Sequence, residues 1–417
     1  MATPKLRFKE FDRDWTQSKI GEIFQVTSGS TPLRSDNRFF ENAYIAWVKT
    51  TDLNNGLIEK TEEKISQIAL KETSVKILPK GTVFVAMYGG FNQIGRTGLL
   101  VHEAACNQAL SAIYPNEKID SYFLLTFLNH KVDDWKNFAA SSRKDPNITK
   151  SDVLAFPLIY PVKEEQTKIA SFLSNVDEKI SQLTQKHALL SQYKQGMMQK
   201  LFSQQIRFKA DDGSEFGEWE EKTIQYFLDQ NYIFDQMDGN HGELYPKSEE
   251  FSDSGIPYIG ATDFSNGTVN FLSCKKIPLE RAIKFKKGIA KNGDVLFAHN
   301  ATVGPVALLM TNLEFVILST TATYYRCNPK KLINTYLKSV LESDYFKKQY
   351  VGIMSQSTRN QVPITTQRKL NLVVPCLEEQ TKIANFLSAI DQKIEVVAQQ
   401  IEQAKTWKKG LLQQMFV

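Results

Sequence analysis

The sequence predicts an α/β (α+β) protein made by tandem duplication: a globular domain and a long helix, then both again. The two helices are expected to pair as an antiparallel coiled coil about a pseudo-two-fold axis. Three observations predict this. The heptapeptide Glu164-Glu165-Gln166-Thr167-Lys168-Ile169-Ala170 returns unchanged at Glu378 to Ala384, 214 positions later. Mostly apolar residues recur in alternating steps of four and three along both copies. The remaining sequence mixes short β-rich runs with helical stretches, punctuated by Gly, Asn, Ser and Thr.

Carried forward without gaps from Glu164 to Phe202, the offset matches roughly 18 of 39 positions, among them Phe172 with Phe386, Asp177 with Asp391 and Gly196 with Gly410. The seam of the first copy runs through positions 169, 173, 176, 180, 183, 187, 190, 194, 197 and 201. Its partner runs from Ile383 through Leu387, Ile390, Ile394, Val397, Ile401, Ala404, Lys408 and Leu411 to Met415. Pro161 and Pro375 precede the helices, and Glu164-Glu165 and Glu378-Glu379 put negative charge in each first turn, where the helix dipole favours it. Helices over 163–202 and 377–416 follow, each roughly 60 Å long at about 1.5 Å per residue. A stripe of that length needs a partner, and the other copy is the nearest. Antiparallel pairing of two equivalent units sends their globular domains to opposite ends.

Four segments result: a first domain over 1–160, a central helical region over 161–205, a second domain over 206–374 and a C-terminal helical region over 375–417. Within the domains, Thr82 to Met87 and Phe315 to Tyr325 read as β-rich, and Ser121 to Phe138 and Leu332 to Tyr350 as helical. The repeat persists faintly there. Trp47-Val48-Lys49-Thr50-Thr51-Asp52 is echoed by Tyr258-Ile259-Gly260-Ala261-Thr262-Asp263, and Gly81 to Ala86 by Gly293 to Ala298.

With 417 residues, of which 42% are hydrophobic, the chain can bury more than one core. It has no apolar run long enough to span a bilayer and opens without the apolar core of a signal peptide, so a cytoplasmic location and no membrane partner are expected. The four cysteines, Cys106, Cys274, Cys327 and Cys376, show neither disulfide nor zinc spacing and read as reduced structural thiols. A net charge of +5 suits a polyanion but is weak support.

Enzyme classes find little foothold. There is no GxGxxG or GxxxxGKS, and neither Asp145-Pro146-Asn147 nor Asn328-Pro329-Lys330 supplies the Asn/Asp-Pro-Pro-aromatic loop of an adenine methyltransferase. Asp177-Glu178-Lys179 and Glu62-Glu63-Lys64 lack the upstream Pro-Asp of a nuclease. His187 falls on the seam, and His102, His130, His241 and His299 have no partner at metal or triad spacing. No metal, no cofactor and no catalytic residue are expected.

The binding candidates are loops that combine small hydroxyl residues with arginine, because hydroxyls and backbone N–H groups hold phosphates and arginine bonds guanine bidentately. In the first domain these are Ser30, Thr31 and Arg34; then Ser142, Arg143 and Lys144. In the second they are Ser357, Thr358, Arg359 and Asn360. Two further loops follow the best strands, one with Asn92, Gln93 and Arg96 and the other with His299, Asn300 and Thr302; each reads equally as a ligand loop or a plain hairpin turn. Lys49, Thr50 and Thr262 join the DNA-contact candidates from the echoed segment.

The helices match far better than the domains, so something held them alike. Coiled-coil packing explains the apolar identities. The polar ones, Gln166, Lys168, Asp177, Lys179 and Gln199 with Gln380, Lys382, Asp391, Lys393 and Gln413, fit either one partner species docking twice or slow drift of a solvated face. Gly196 and Gly410 each cost about 1 kcal/mol inside a helix and suggest a close approach or a break.

A proline, then "EEQTKIA", "FLS", an Asp-x-Lys-Ile step and a long helix, twice, each after a loop like "SQSTRN", resembles the specificity subunits of type I restriction-modification enzymes. The resemblance covers nearly the whole chain, and Ser141-Ser142-Arg143-Lys144 departs from "STRN". It implies two target-recognition domains that each read half of a split, asymmetric site in double-stranded DNA, with the paired helices as a ruler. It also implies docking of two methyltransferase subunits and association with restriction subunits. S-adenosylmethionine, ATP and Mg²⁺ would then belong to those partners. The other reading is a duplicated coiled-coil adaptor that binds only proteins.

Overall fold

The computed structural model describes residues 4–90, 92–139, 147–239, 245–355 and 360–416. Two compact units divide the chain, the first formed by Met1–Thr184 with Gln399–Val417 and the second by Gln185–Ala398.

In the first unit a five-stranded sheet runs in the order Val26–Ser28, Leu110–Ile113, Val83–Ala86, Thr97–Leu100, Gly56–Ile58. Val83–Ala86 is buried along its whole length, so its sequence reads as a continuous apolar run. A second sheet sets Ile45–Val48 between Glu63–Ile65, antiparallel, and Ala105–Cys106, parallel. Thr16–Lys19 pairs with Pro157–Tyr160. The run expected to be helical over Ser121 to Phe138 is divided: Asp120 caps Ser121–His130 by accepting from the Tyr122 and Phe123 N–H groups, and a 3-10 turn at Val132–Asp134 precedes Trp135–Phe138.

The second unit repeats this plan. One sheet runs Ile233–Asp238, Ala322–Cys327, Val295–Asn300, Thr302–Leu308, and the other Lys275–Ile277, Ile256–Ile259, Val316–Leu318, Ile289–Ala290. Glu220–Thr223 pairs with Asn371–Val374. The run Phe315 to Tyr325, read as one β segment, is two strands in different sheets. Between them the Ser319 hydroxyl accepts from the Thr321 N–H at 3.2 Å, and this local turn redirects the chain. Leu332 to Tyr350 is likewise two helices, because Ser343 ends Asn334–Glu342 and caps Asp344–Met354 through the Phe346 N–H.

Hydrogen bonds carry the duplication through both domains. The Asn107 N–H donates to the Val48 carbonyl at 3.0 Å, and the Ser319 N–H to that of Ile259 at 2.8 Å. Met87 to Ala109 matches His299 to Thr321, and Ile148 to Met87 matches Val362 to His299. The echoed segments are equivalent too: Asp52 accepts from the Lys49 N–H at 2.7 Å, and Asp263 from the Gly260 N–H at 2.8 Å.

The long helices are Lys163–Phe202 and Leu377–Met415. The first unit joins the start of one to the end of the other: Ile169, Leu173 and Val176 share its core with Leu411, Met415 and Phe416. The second joins Met198, Leu201 and Phe202 to Ile383, Leu387 and Ile390. The helices are thus paired in opposite chain sense. Seam positions 194 and 408 carry matched ion pairs, Lys194 to Asp391 at 2.7 Å and Lys408 to Asp177 at 2.5 Å. Burial lowers the Lys194 pKa, but Glu342 and Asp391 outweigh it and leave the ammonium's pKa raised.

Burial corrects the docking role expected for two of the polar identities, Gln166 and Gln380. Gln166 and Gln380 are each 1% exposed. The amide of Gln166 accepts from the Asp120 N–H and donates to the Lys118 and Pro161 carbonyls, and Gln380 does the same with Ile333, Lys331 and Pro375. Each ties its long helix to its own domain, which explains the identity without a partner. Asp177 and Asp391 are held in the seam pairs, Lys168 by Glu10, and Lys382 by Asp211 and the Lys209 carbonyl. Lys179, Lys393, Gln199 and Gln413 are exposed. Neither glycine breaks its helix, and a Cβ built on Gly196 or Gly410 meets nothing within 4 Å.

Candidate nucleic-acid interface

Each unit gathers several loops at one sheet edge. In the first, the Ser30 N–H donates to the Cys106 carbonyl at 3.0 Å, and Asn107, Met87 and Ile148 make the matched bonds above. Ser30 and Val48 thereby meet the Cys106–Asn107 segment, and Met87 meets Ile148 just before the helix Lys150–Ala155. Gly29 permits this, since a Cβ there would lie 2.3 Å from the Cys106 and Asn107 carbonyl oxygens.

The sequence-predicted residues of this edge differ in how free they are. The Ser30 hydroxyl accepts from Ser74 at 2.8 Å, and Thr31 donates to Gln108. Arg34 donates to Glu63 at 2.6 Å and lies over the Phe40 and Trp47 rings. Lys49 bonds Glu63 at 2.7 Å and Glu62 at 3.0 Å. Arg34 and Lys49 together hold the Glu63 carboxyl below the usual carboxylate range, and Glu63 raises the Lys49 ammonium in return. A phosphate approaching either cation meets the Glu63 carboxylate as a competitor. Thr50 begins the 3-10 turn Thr50–Asp52. Asn92 is exposed, and Gln93 and Arg96 are half-buried in a loop whose Gly89, Gly90 and Gly95 all have positive φ. Ser142, Arg143 and Lys144 lie outside the described residues.

In the second unit the edge is built around the hairpin between Val295–Asn300 and Thr302–Leu308. Asn300 forms a bridge with Gln361, and the Ala301 N–H donates to the Asn360 carbonyl at 3.2 Å. The loop at 299–304 and Asn360, read separately from the sequence, therefore meet. Ser357, Thr358 and Arg359 lie outside the described residues. Thr302 is exposed, and so is Thr262, in the 3-10 turn Ala261–Asp263. His299 is only 5% exposed, and its Nδ1 meets the Thr323 hydroxyl at 2.9 Å. It is a buried support of the hairpin, and this corrects its expected role as a DNA contact.

One basic tract escaped the sequence reading. Lys284, Lys286 and Lys287 are exposed, and Gly288 beside them accepts from the Leu318 N–H at 2.7 Å. A Cβ on Gly288 would lie 2.8 Å from the Cα of Gly239, and one on Gly239 2.3 Å from the Ser319 carbonyl. The close backbone approach sets Gly288, which follows the lysines, against Leu318 and Gly239. The signal was the run Ile283-Lys284-Phe285-Lys286-Lys287-Gly288. Among the described residues no cluster of His, Cys, Asp or Glu could hold a metal, and no helix is long and apolar enough to cross a membrane.

Residues 12–192 and 233–406 match the family described as type I restriction modification DNA specificity domain. A type I restriction enzyme specificity subunit of Methanocaldococcus jannaschii, MjaVIII, is 24% identical over 411 residues, covering 96% of this chain and 91% of that one. The EcoR124I/EcoR124II specificity subunit of Escherichia coli is 24% identical over 182 residues, 43% of this chain and 45% of that one. The crystal structure of a type I restriction-modification S subunit from M. genitalium shares the fold, with a TM-score of 0.63 at 17% identity over 100% of this chain and 99% of that one. With its duplicated domains and helices matched almost from end to end, the chain belongs to the type I restriction-modification DNA specificity family.

Proposed function

We propose that the chain is the DNA-reading subunit of a type I restriction-modification complex, recognising a split, asymmetric site in duplex DNA. It recruits two methyltransferase subunits and, through them, restriction subunits. The observation that carries this reading is one hydrogen-bonded edge built twice with different side chains. Lys49, Met87 and Asn107 in the first domain stand where Gly260, His299 and Ser319 stand in the second. One scaffold presenting two chemistries suits two different half-sites. Hydroxyls, lysines and backbone N–H groups position phosphates, while arginine and asparagine side chains, Arg359 among them, read base edges. The subunit itself does no chemistry. S-adenosylmethionine, ATP and Mg²⁺ are held by its partners.

Binding of duplex DNA by the chain together with its methyltransferase partner tests the reading. Affinity should fall with salt, with a slope near one unit per phosphate contact. Retained partner binding with no DNA binding at any salt would leave the protein-only adaptor. The Glu63 pair gives a sharper expectation: Glu63→Gln removes the charge paired with Arg34, while Lys49 keeps Glu62, so affinity for duplex DNA at about 0.1 M salt should rise several-fold, up to about tenfold, and the salt slope steepen by about 1. For partner docking, the exposed repeat pair Lys179 and Lys393 is the candidate. Charge reversal of both to Glu should lower the methyltransferase stoichiometry in size-exclusion chromatography while leaving thermal unfolding within about 0.5 kcal/mol, as for surface positions generally.

A further inference from the structure

We propose that Asn360 and Gln367 are positioning residues that lock the Ala301 turn, and with it Asn300 and Thr302, in the orientation the second domain uses to read DNA. The inference rests on the DNA-reading assignment above. Ala301 has φ 63°, a left-handed conformation that L residues other than Asn and Asp rarely hold and that persists only where the surroundings enforce it. Both of its main-chain polar groups end on Asn360. The Ala301 N–H donates to the Asn360 carbonyl at 3.2 Å as well as to its neighbour Asn300 Oδ1 at 2.9 Å, and the Ala301 carbonyl accepts from Asn360 Nδ2 at 3.0 Å.

Asn360 is fixed in turn from below. The Val362 N–H donates to the His299 carbonyl at 2.8 Å. The fully buried Gln367 donates to the Val362 carbonyl at 2.8 Å and to the Thr323 hydroxyl at 3.1 Å, the same hydroxyl that meets His299. Its Oε1 accepts from Tyr325 at 2.5 Å and from Gln236 at 3.2 Å. Both donors and both acceptor sites of the amide are thus used, and hydrogen bonds fix direction where apolar contacts do not.

The fold does not require this device. The first domain places Val26, Met87, Ile113 and Val153 where the second has Gln236, His299, Tyr325 and Gln367, all inside a packed core. It also gives the positive-φ positions of its loop to Gly89, Gly90 and Gly95. Among the described residues the lock belongs to the second reader.

The full chain assembled with its methyltransferase subunits should be offered duplex libraries in which one half-site is held and the other randomised. Asn360→Ala and Gln367→Leu should each cost about tenfold or more in base preference, the scale of one lost contact, in the same single half-site. The other half-site and binding to random duplex should stay within about twofold. Adding Ala301→Gly to Asn360→Ala should restore part of the preference, because glycine holds the turn without a clamp. Failure of that rescue would make Asn360 a direct base contact and overturn the positioning role. Equal relaxation of both half-sites by Asn360→Ala, which is exposed and spares the core, would overturn it as well. A native complex with no half-site preference would instead sink the DNA-reading assignment itself.

Discussion

Replacing Phe416 by alanine is expected to destabilise the first unit by about 3 to 5 kcal/mol, the usual cost of deleting a buried aromatic side chain. Phe416 follows the second long helix and is 4% exposed. Its ring lies 5.5 Å from that of Phe123, 5.9 Å from Phe127 and 6.3 Å from Trp15, and it stacks on His130. Phe416 thus completes the core of the first unit. Denaturation followed by hydrogen exchange should show early opening of Ser121–His130 and little change at Asn334–Glu342. Simultaneous loss of both regions would mean that the core of the first unit does not depend on this residue in the way its contacts indicate.

The second large effect concerns binding. Changing Lys284, Lys286 and Lys287 together to alanine should lower affinity for duplex DNA by up to a few hundredfold at about 0.1 M salt and reduce the salt slope by about 2 to 3, since each lost phosphate contact removes roughly 0.9 of a counterion. The three side chains are exposed, so unfolding should change little. A titration of affinity against salt separates the outcomes: a weakened complex with an unchanged slope would show that these lysines do not meet phosphates.

The long helices were legible because a heptad period repeats over many turns and a duplicated heptapeptide fixes its register. The domains were legible only in part. Phe315 to Tyr325 reads as one strand because its apolar residues are continuous, and only the local bond between Ser319 and Thr321 shows that the chain changes sheets there. Gln166 and Gln380 illustrate a different limit. Identical polar residues on repeated helices look the same in sequence whether they face a partner or grip their own domain, and the structure gives them to the domain. Conversely, Asn300 and the pair Asn360-Gln361 carry no sequence sign that they belong together, because the bridge between Asn300 and Gln361 joins positions far apart in the chain. The loop that holds His299 reads equally as a ligand loop or a hairpin turn, yet His299 lies two positions beyond Phe297, which pairs with Thr323, and so shares that face and meets the Thr323 hydroxyl.

Sequencing modified adenines in the host genome, with and without this gene, tests most directly whether the duplicated edges are two different readers. The expected result is one split motif, two unlike half-sites separated by a fixed unspecified spacer, whose modification disappears when the gene is removed. A motif unchanged by removal, or one made of two identical half-sites, would contradict it.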